Sequence, residues 1–362
     1  MLLADAKKRD LGTSEREAHS VACQGEKVEA SATWSKAQYS NPLSIAVIIP
    51  CYNVIYQVVG VLARMGPEVD AIYCVDDCCP QRSGSLIEQS IKDPRVKVLY
   101  HEQNQGVGAA MLTGYRQALA DGHDVLVKID GDGQMDPALV PSFVYPIAIG
   151  AADYTKGNRF FNLENTKGMP VIRLIGNGGL SFLTKLSSGY WNIFDPTNGY
   201  TAMHRSVGEL IIHRKIDKRF FFETDMLLNL YLLRAVVQDV PMASVYGDEA
   251  SNLRMGRIAF AFLMKNIRNT IRRFIVQYMI RDFSVATLEA AVGSALLIFG
   301  LVFGALFWWR SYTVGQAATA GQVMIAALPI LSGTQLLLSA LNFDMRNVPT
   351  TPRQRLRGVT AK

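Results

Sequence analysis

The chain has 362 residues, 49% of them hydrophobic and only 19% charged, which suits one catalytic domain of roughly 200 to 250 residues plus further segments and leans towards membrane association. The 37 basic and 31 acidic side chains leave a net charge of +6; that excess is modest, so its location matters more than its size, and no nucleic-acid partner is expected. The 5 cysteines, Cys23, Cys51, Cys74, Cys78 and Cys79, are odd in number and crowded, which argues against a secreted disulfide framework, and Cys74, Cys78 and Cys79 lack His or Cys partners at zinc-site spacing.

Residues 1–42 are polar and without sustained periodicity, and read as a tail with little stable structure. The opening Met1-Leu2-Leu3-Ala4 is too short an apolar run for a signal peptide, being followed at once by Asp5, Lys7, Lys8 and Arg9. Four apolar runs bounded by turn residues then predict strands buried on both faces: residues 44–50, 70–77, 95–100 and 124–130. Helical patterns separate them, as from Gly108 to Ala120, so a mostly parallel sheet in an α/β layer fold is expected over residues 43–253.

Composition changes after residue 253. Between 254 and 283 seven basic residues (Arg254, Arg257, Lys265, Arg268, Arg272, Arg273 and Arg281) interleave with apolar ones against a single acid, Asp282. This predicts one or two basic amphipathic helices lying in a membrane interface. A transmembrane hairpin is expected over 284–346, its spans at about 285–309 and 321–343, each long enough to cross a ~30 Å hydrocarbon core. Trp308, Trp309 and Tyr312 form an aromatic belt at the end of the first span, and Glu289 is an acid near its start, where ionisable residues are functional by default. Basic residues crowd before the first span and recur in the tail 347–362, whereas the loop between the spans holds only Arg310. The positive-inside rule then puts the catalytic domain and both termini in the cytoplasm, on an integral protein of the cytoplasmic membrane.

The chemistry is concentrated in Asp130-Gly131-Asp132-Gly133-Gln134. Two carboxylates emerge one residue apart at the carboxyl end of a buried strand, where open α/β sheets bind ligands. So close together they repel unless a cation lies between them, and Mg²⁺ or Mn²⁺ prefers such oxygen ligands and bridges them to substrate phosphates. The amide oxygen of Gln134 is a candidate third ligand.

Four segments in this order, Ile48-Ile49-Pro50-Cys51-Tyr52-Asn53, Val75-Asp76-Asp77, Asn104-Gln105-Gly106-Val107-Gly108-Ala109-Ala110 and Asp130 to Pro137, resemble family 2 glycosyltransferases of the GT-A fold. Within that family the chain is similar to the dolichyl- and polyprenyl-phosphate sugar synthases of the membrane-anchored bacterial branch. The resemblance implies an inverting transfer from a UDP- or GDP-linked sugar to a polyprenyl phosphate, with the nucleotide-sugar, the lipid phosphate and the bilayer as partners. A homo-oligomer is a further expectation, because tetramers occur in that branch. It implies that Pro50, Tyr52 and Asn53 line the nucleotide pocket, that Asp77 meets the nucleobase, and that Asp130, Asp132 and Gln134 hold the metal. Gly157 and Arg159 match a segment near the acceptor, and Asp195, in Asp195-Pro196-Thr197-Asn198-Gly199-Tyr200, matches an acid that faces the sugar. This chain departs from the family pattern at Val54, at Cys78-Cys79, at Asn198, and at Glu249-Ala250-Ser251-Asn252, where a lysine contact to the acceptor does not carry over.

A phosphate monoester acceptor is largely dianionic at neutral pH, its second pKa lying near ~6, and needs cations rather than a strong base. Lys156, Arg159 and Arg205 are the candidates. A sugar-hydroxyl acceptor would need a general base, for which Asp195, Glu223 and Asp225 compete, although Glu223 and Asp225 also suit the first turn of a helix. Other readings fit less well. A processive polysaccharide synthase would carry Q-x-x-R-W and more spans, a dinucleotide fold would need a third glycine after Gly106-Val107-Gly108, and a non-catalytic scaffold would not need Asp130, Asp132 and Asp195.

Overall fold

The computed structural model describes residues 43–161, 171–242 and 255–360. Residues 1–42, Arg254 and the segment 249–252 lie outside them. Seven strands form one mixed sheet in the order β3-β2-β1-β4-β6-β5-β7. They are β1 Ile45–Cys51, β2 Ala71–Asp76, β3 Val96–Tyr100, β4 Val125–Lys128, β5 Tyr154–Asn158, β6 Thr201–His204 and β7 Val237–Pro241. The first four coincide with the four apolar runs and pair in parallel. β6 runs antiparallel to both β4 and β5, with Lys128 opposite Thr201 and Val125 opposite His204.

The helices of the sheet domain are α1 Val58–Ala63, α2 Ser83–Ser90, α3 Val107–Ala120, α4 Val140–Ala148, α5 Val171–Ser188, α6 Arg205–Ile211 and α7 Phe222–Leu232. α3 packs Ala110, Met111 and Tyr115 on Ile48, Tyr73 and Val75, the core of one face. Gly114 permits this approach, since a Cβ there would lie 2.4 Å from Ile48 Cγ2. α7 is buried nearly all round, as a central core helix should be.

Beyond the sheet, α8 Met255–Phe274 continues as a π-helical stretch, Ile275–Arg281. Phe260, Leu263, Met264, Ile267, Ile271, Ile275 and Met279 remain exposed on it at helical spacing. Two long apolar helices follow, α9 Val285–Val314 and α10 Ala320–Arg346. Their 30 and 27 residues correspond to about 45 and 40 Å at ~1.5 Å per residue, and both are long and apolar enough to cross a membrane. They pack closely because Gly293 faces Gly333, where a Cβ would lie 2.7 Å from the Gly293 carbonyl oxygen. Within the hairpin Ser339 donates a hydrogen bond to Glu289, 2.9 Å.

The segment after α10 returns to the sheet domain. The backbone N–H groups of Arg353 and Gln354 donate to the buried Asp153 carboxylate at 2.8 and 3.0 Å, and residues 353–360 form α11. Asp344, at the end of α10, accepts from Trp191 Nε1 at 2.8 Å, from Arg273 Nη1 and Nη2 at 2.5 and 2.9 Å, and from Tyr278 Oη. A buried carboxylate is tolerable here because its partners satisfy it. One residue thereby joins α10 to α5's following loop, α8 and the π-helix.

Candidate active site

An open cavity of about 650 Å³ lies at the carboxyl ends of β1, β2 and β4. Pro50, Tyr52, Asn53 and Val54 form the wall after β1, Asp77 the wall after β2, and Asp130, Gly131 and Asp132 the floor after β4. Asn104, Gly106, Val107 and Ala110 contribute from the start of α3, and Arg219, Phe220 and Glu223 from the start of α7. The sheet order reverses direction from β1 beside this cavity, β2 lying on one side and β4 on the other, the position at which open α/β sheets bind ligands.

The D-x-D segment is a tight turn. Ile129 N still donates to Ile48 O, at 3.1 Å, so the strand pairing runs up to the first carboxylate. Asp132 Oδ1 then accepts from Gln134 N at 2.9 Å, and Gly133 takes φ +79°, a conformation glycine adopts without strain. Lys128 lies beneath, almost fully buried, its Nζ 3.0 Å from Asp130 Oδ1 and 2.9 Å from Glu223 Oε1. Burial opposes its charge, but Asp130 and Glu223 outweigh burial and raise its pKa, so the ammonium stays protonated. Gly199 completes this corner, because a Cβ there would lie 2.4 Å from Asp130 Oδ2 and 2.7 Å from Lys128 Nζ.

Among the described residues no group of three or more His, Cys, Asp and Glu side chains could close around a metal ion. On the floor of the cavity Asp130 and Asp132 stand one residue apart, two hard oxygen ligands with the cavity open beside them, while Asp77 is held by backbone N–H groups and Glu223 by Lys128. This fits Mg²⁺ or Mn²⁺, which take one or two protein carboxylates and complete their shells with phosphate oxygens and water. Gln134 is half-buried beside them and lies outside the cavity lining.

Asp77 is buried, and its two oxygens accept from Gln105 N at 2.9 Å and Gly106 N at 2.7 Å. His101 Nδ1 shares a further 2.7 Å hydrogen bond with it, and His101 Nε2 another with Thr113 Oγ1, 2.9 Å. Asp77 thus orders the loop that opens α3 as well as lining the cavity. Its neighbour Asp76 points away and caps α2 through Gly84 N, 2.7 Å. Asn53 takes the left-handed conformation, φ +57°, with its N–H on Cys79 Sγ. Cys51, Cys74, Cys78 and Cys79 are all free thiols.

Asp195 is 1% exposed and is clasped by Arg159, whose Nε and Nη2 reach its two oxygens at 2.7 and 3.0 Å. Arg159 N, Thr197 Oγ1 and Asn198 Nδ2 also point at it. Asp225 is equally buried and accepts from Asp217 N and Asn269 Nδ2, so it braces α7 and does not reach the cavity. Glu223, two residues earlier on the helix, does reach it.

Two of the expected acceptor cations are placed otherwise. Lys156 is 1% exposed; its Nζ donates to the Asn198 carbonyl and so holds the 195–199 loop from within. Burial lowers its pKa to about 8, against the opposing pull of Glu223 and Asp195. Arg205 lies at the other end of the sheet, its N–H on Asp124 O and its guanidinium on Glu209 at 2.8 Å. Four residues of strand separate it from the Lys128 end of β4, about 13 Å at ~3.3 Å per residue. The direction of β6 is the cause: an antiparallel strand delivers its end to the edge opposite the site.

Two cavity residues, Arg219 and Phe220, carry no motif signal; Lys128 opens the segment that bears the paired carboxylates, but nothing in the sequence gives it a role.

An open, mostly parallel sheet with paired carboxylates on the floor of an open cavity at its carboxyl edge is the arrangement of a glycosyltransferase of the GT-A type. A profile of glycosyl transferase family 2 matches residues 46–211. An undecaprenyl-phosphate mannosyltransferase of Micrococcus luteus is 30% identical over 221 residues, 60% of this chain and 89% of that one. A UDP-N-acetylglucosamine–dolichyl-phosphate N-acetylglucosaminyltransferase of Methanococcus voltae is 28% identical over 239 residues, 61% and 95% of the two chains. Glucosyl-3-phosphoglycerate synthase of Mycobacterium tuberculosis, solved with Mn²⁺ and uridine diphosphate, superposes with a TM-score of 0.49 at 19% identity, covering 66% of this chain and 84% of its own. The chain belongs to glycosyl transferase family 2.

Proposed function

We propose that this enzyme transfers a sugar from a UDP- or GDP-linked donor to a polyprenyl phosphate at the cytoplasmic face of the inner membrane. The relatives named above act on dolichyl and undecaprenyl phosphates, and α9 and α10 supply a means of meeting such a lipid. The observation that carries the reading is the state of the carboxylates. Each candidate general base is already paired: Asp195 with Arg159, Glu223 with Lys128, and Asp225 with Asp217 N and Asn269 Nδ2. A hydroxyl acceptor would draw on one of them as a general base, at the cost of the pairing it now makes. A phosphate acceptor arrives largely deprotonated and needs cations to lower the repulsion between two anionic substrates.

In this reading Pro50, Tyr52, Asn53 and Asp77 enclose the nucleoside, and Asp130 and Asp132, with Gln134, would hold Mg²⁺ or Mn²⁺ on the diphosphate. Such an ion, when bound, neutralises charge building on the leaving diphosphate. Lys128 keeps Asp130 oriented and offsets the negative charge of the floor. Arg219, exposed at the cavity, and Arg159, held on Asp195, are the cations proposed to meet the acceptor phosphate. Asp195 fixes the fork of Arg159, and so positions rather than deprotonates.

Presenting the enzyme with polyprenyl phosphate, the matching polyprenol and free saccharides tests this. Transfer to the phosphate alone is the expected result; equal transfer to polyprenol or to a saccharide would overturn it.

A further inference from the structure

A second basic centre lies away from the catalytic cavity, where the hairpin meets the sheet domain. α7 ends at Leu232, and Arg234, with φ +58°, turns the chain out of the helix. The carbonyls left open at that end attract cations. Arg281 Nη2 donates to Leu232 O at 2.7 Å, and Arg353 Nη1 to Leu233 O at 2.7 Å. Arg234 Nη1 donates to Asn347 O at 3.0 Å. Three arginines from three separate segments thus converge on one helix end. Arg214 adds a fourth charge within electrostatic reach of Arg281.

Helix-end carbonyls carry about half an elementary charge, far less than four guanidinium ions. The nearby carboxylates are committed: Asp344 to Arg273, Tyr278 and Trp191, and Asp153 to the N–H groups of Val236, Arg353 and Gln354. Asp282, next to Arg281, is exposed. No ion pair joins any of the four arginines to a carboxylate among the described residues. Burial, Arg234, Arg214 and Arg353 all oppose the charge on Arg281. Like charges gathered at one helix end, with guanidinium N–H groups left over from their carbonyl contacts, suit an anion.

Its position selects the anion. Arg281 precedes the first residue of α9, Val285, by four positions, and Asn347 directly follows the last residue of α10, Arg346. The cluster therefore lies at the level where both spans leave the hydrocarbon, the level of phospholipid phosphates. Guanidinium ions bind phosphate oxygens in a two-pronged manner that suits a headgroup approaching from the leaflet. We propose that Arg214, Arg234, Arg281 and Arg353 form a binding site for the phosphate of an anionic membrane glycerophospholipid, which ties the hairpin to the sheet domain. The inference rests on α9 and α10 being membrane spans.

Thermal unfolding of the full-length protein in a neutral detergent tests it, with phosphatidylglycerol, phosphatidylcholine or sodium phosphate added. No donor sugar is present, so the outcome is separate from that of any transfer assay. Phosphatidylglycerol should raise the midpoint by a few degrees, as a ligand of the folded state does, and phosphatidylcholine should not. Arg281→Gln and Arg214→Gln should each remove at least half of that rise. Arg214→Gln leaves the three carbonyl-bound arginines in place and so reads the charge without disturbing the helix end. Arg268→Gln, which deletes the same charge from the exposed face of α8, should retain the full rise. The proposal is overturned if Arg214→Gln and Arg281→Gln respond like wild type, if phosphatidylcholine is equally effective, or if sodium phosphate alone gives the same rise.

Discussion

Gly199 shows how closely the floor of the catalytic cavity is fitted. A methyl group there would displace Asp130 and Lys128 together, so Gly199→Ala should lower kcat/KM at least tenfold while leaving the fold intact by circular dichroism. Asp132→Asn should cost on the order of a hundredfold or more, a typical effect of losing an electrostatic contact to the leaving group, and should abolish metal-dependent nucleotide binding measured by calorimetry. Lys156 gives a pH signature. Its folded value near 8 lies below the ordinary lysine value of 10.5, so between those limits the unfolded chain binds more protons and stability rises with pH. Relative to Lys156→Met, wild type should gain up to about 3 kcal/mol from pH 8 to pH 10.5, at ~1.4 kcal/mol per pH unit; a flat difference across that window would show that the ammonium is not held in a low-dielectric site. The motifs located Asp130, Asp132 and Asn53 because their chemistry is local to a strand end. They could not place Lys156 or Arg205, since which edge of the sheet a side chain reaches depends on strand direction, and nothing local in residues 201–204 announces that β6 is reversed.

At the scale of elements, the parallel strands were legible because burial on both faces leaves continuous apolar runs, and the two long helices because lipid-length apolar segments are unambiguous in length. β5, β6 and β7 were not: Tyr154-Thr155-Lys156-Gly157-Asn158 and Val237-Gln238-Asp239-Val240-Pro241 mix polar with apolar residues, and their pairing is set by tertiary context. The carboxy-terminal segment read as a basic tail, yet it docks on the buried Asp153 by backbone N–H groups that any sequence could offer, and by Arg353 and Gln354 side chains on backbone carbonyls that carry no sequence signal. α8 is joined to the cavity wall through Lys265 Nζ on Asp217, 2.5 Å, and Asn269 on Asp225, 3.0 Å. Asp217 begins the loop that carries Arg219 and Phe220. Lys265→Met should therefore raise KM for the donor severalfold, measured in detergent, with kcat changed less. Asp344→Ala strands the buried Arg273 and should destabilise the enzyme by about 3–5 kcal/mol, seen as a large fall in the thermal midpoint.

At the scale of the whole molecule, a cavity at the carboxyl edge of the sheet is joined to two apolar helices long enough to cross a membrane and to a basic junction at their foot. The basic residues on either side of α9 and α10 accord with the cytoplasmic sheet domain proposed above. The central claim is the transfer itself, and it is tested most directly by incubating membranes containing the enzyme with radiolabelled UDP- and GDP-sugars, Mn²⁺ and undecaprenyl phosphate, beside an Asp132→Asn control. Label should enter the organic phase from one donor, be released by mild acid, and be absent with Asp132→Asn. Label that instead enters a soluble or polymeric saccharide, or reaches lipid equally in the Asp132→Asn sample, would contradict it.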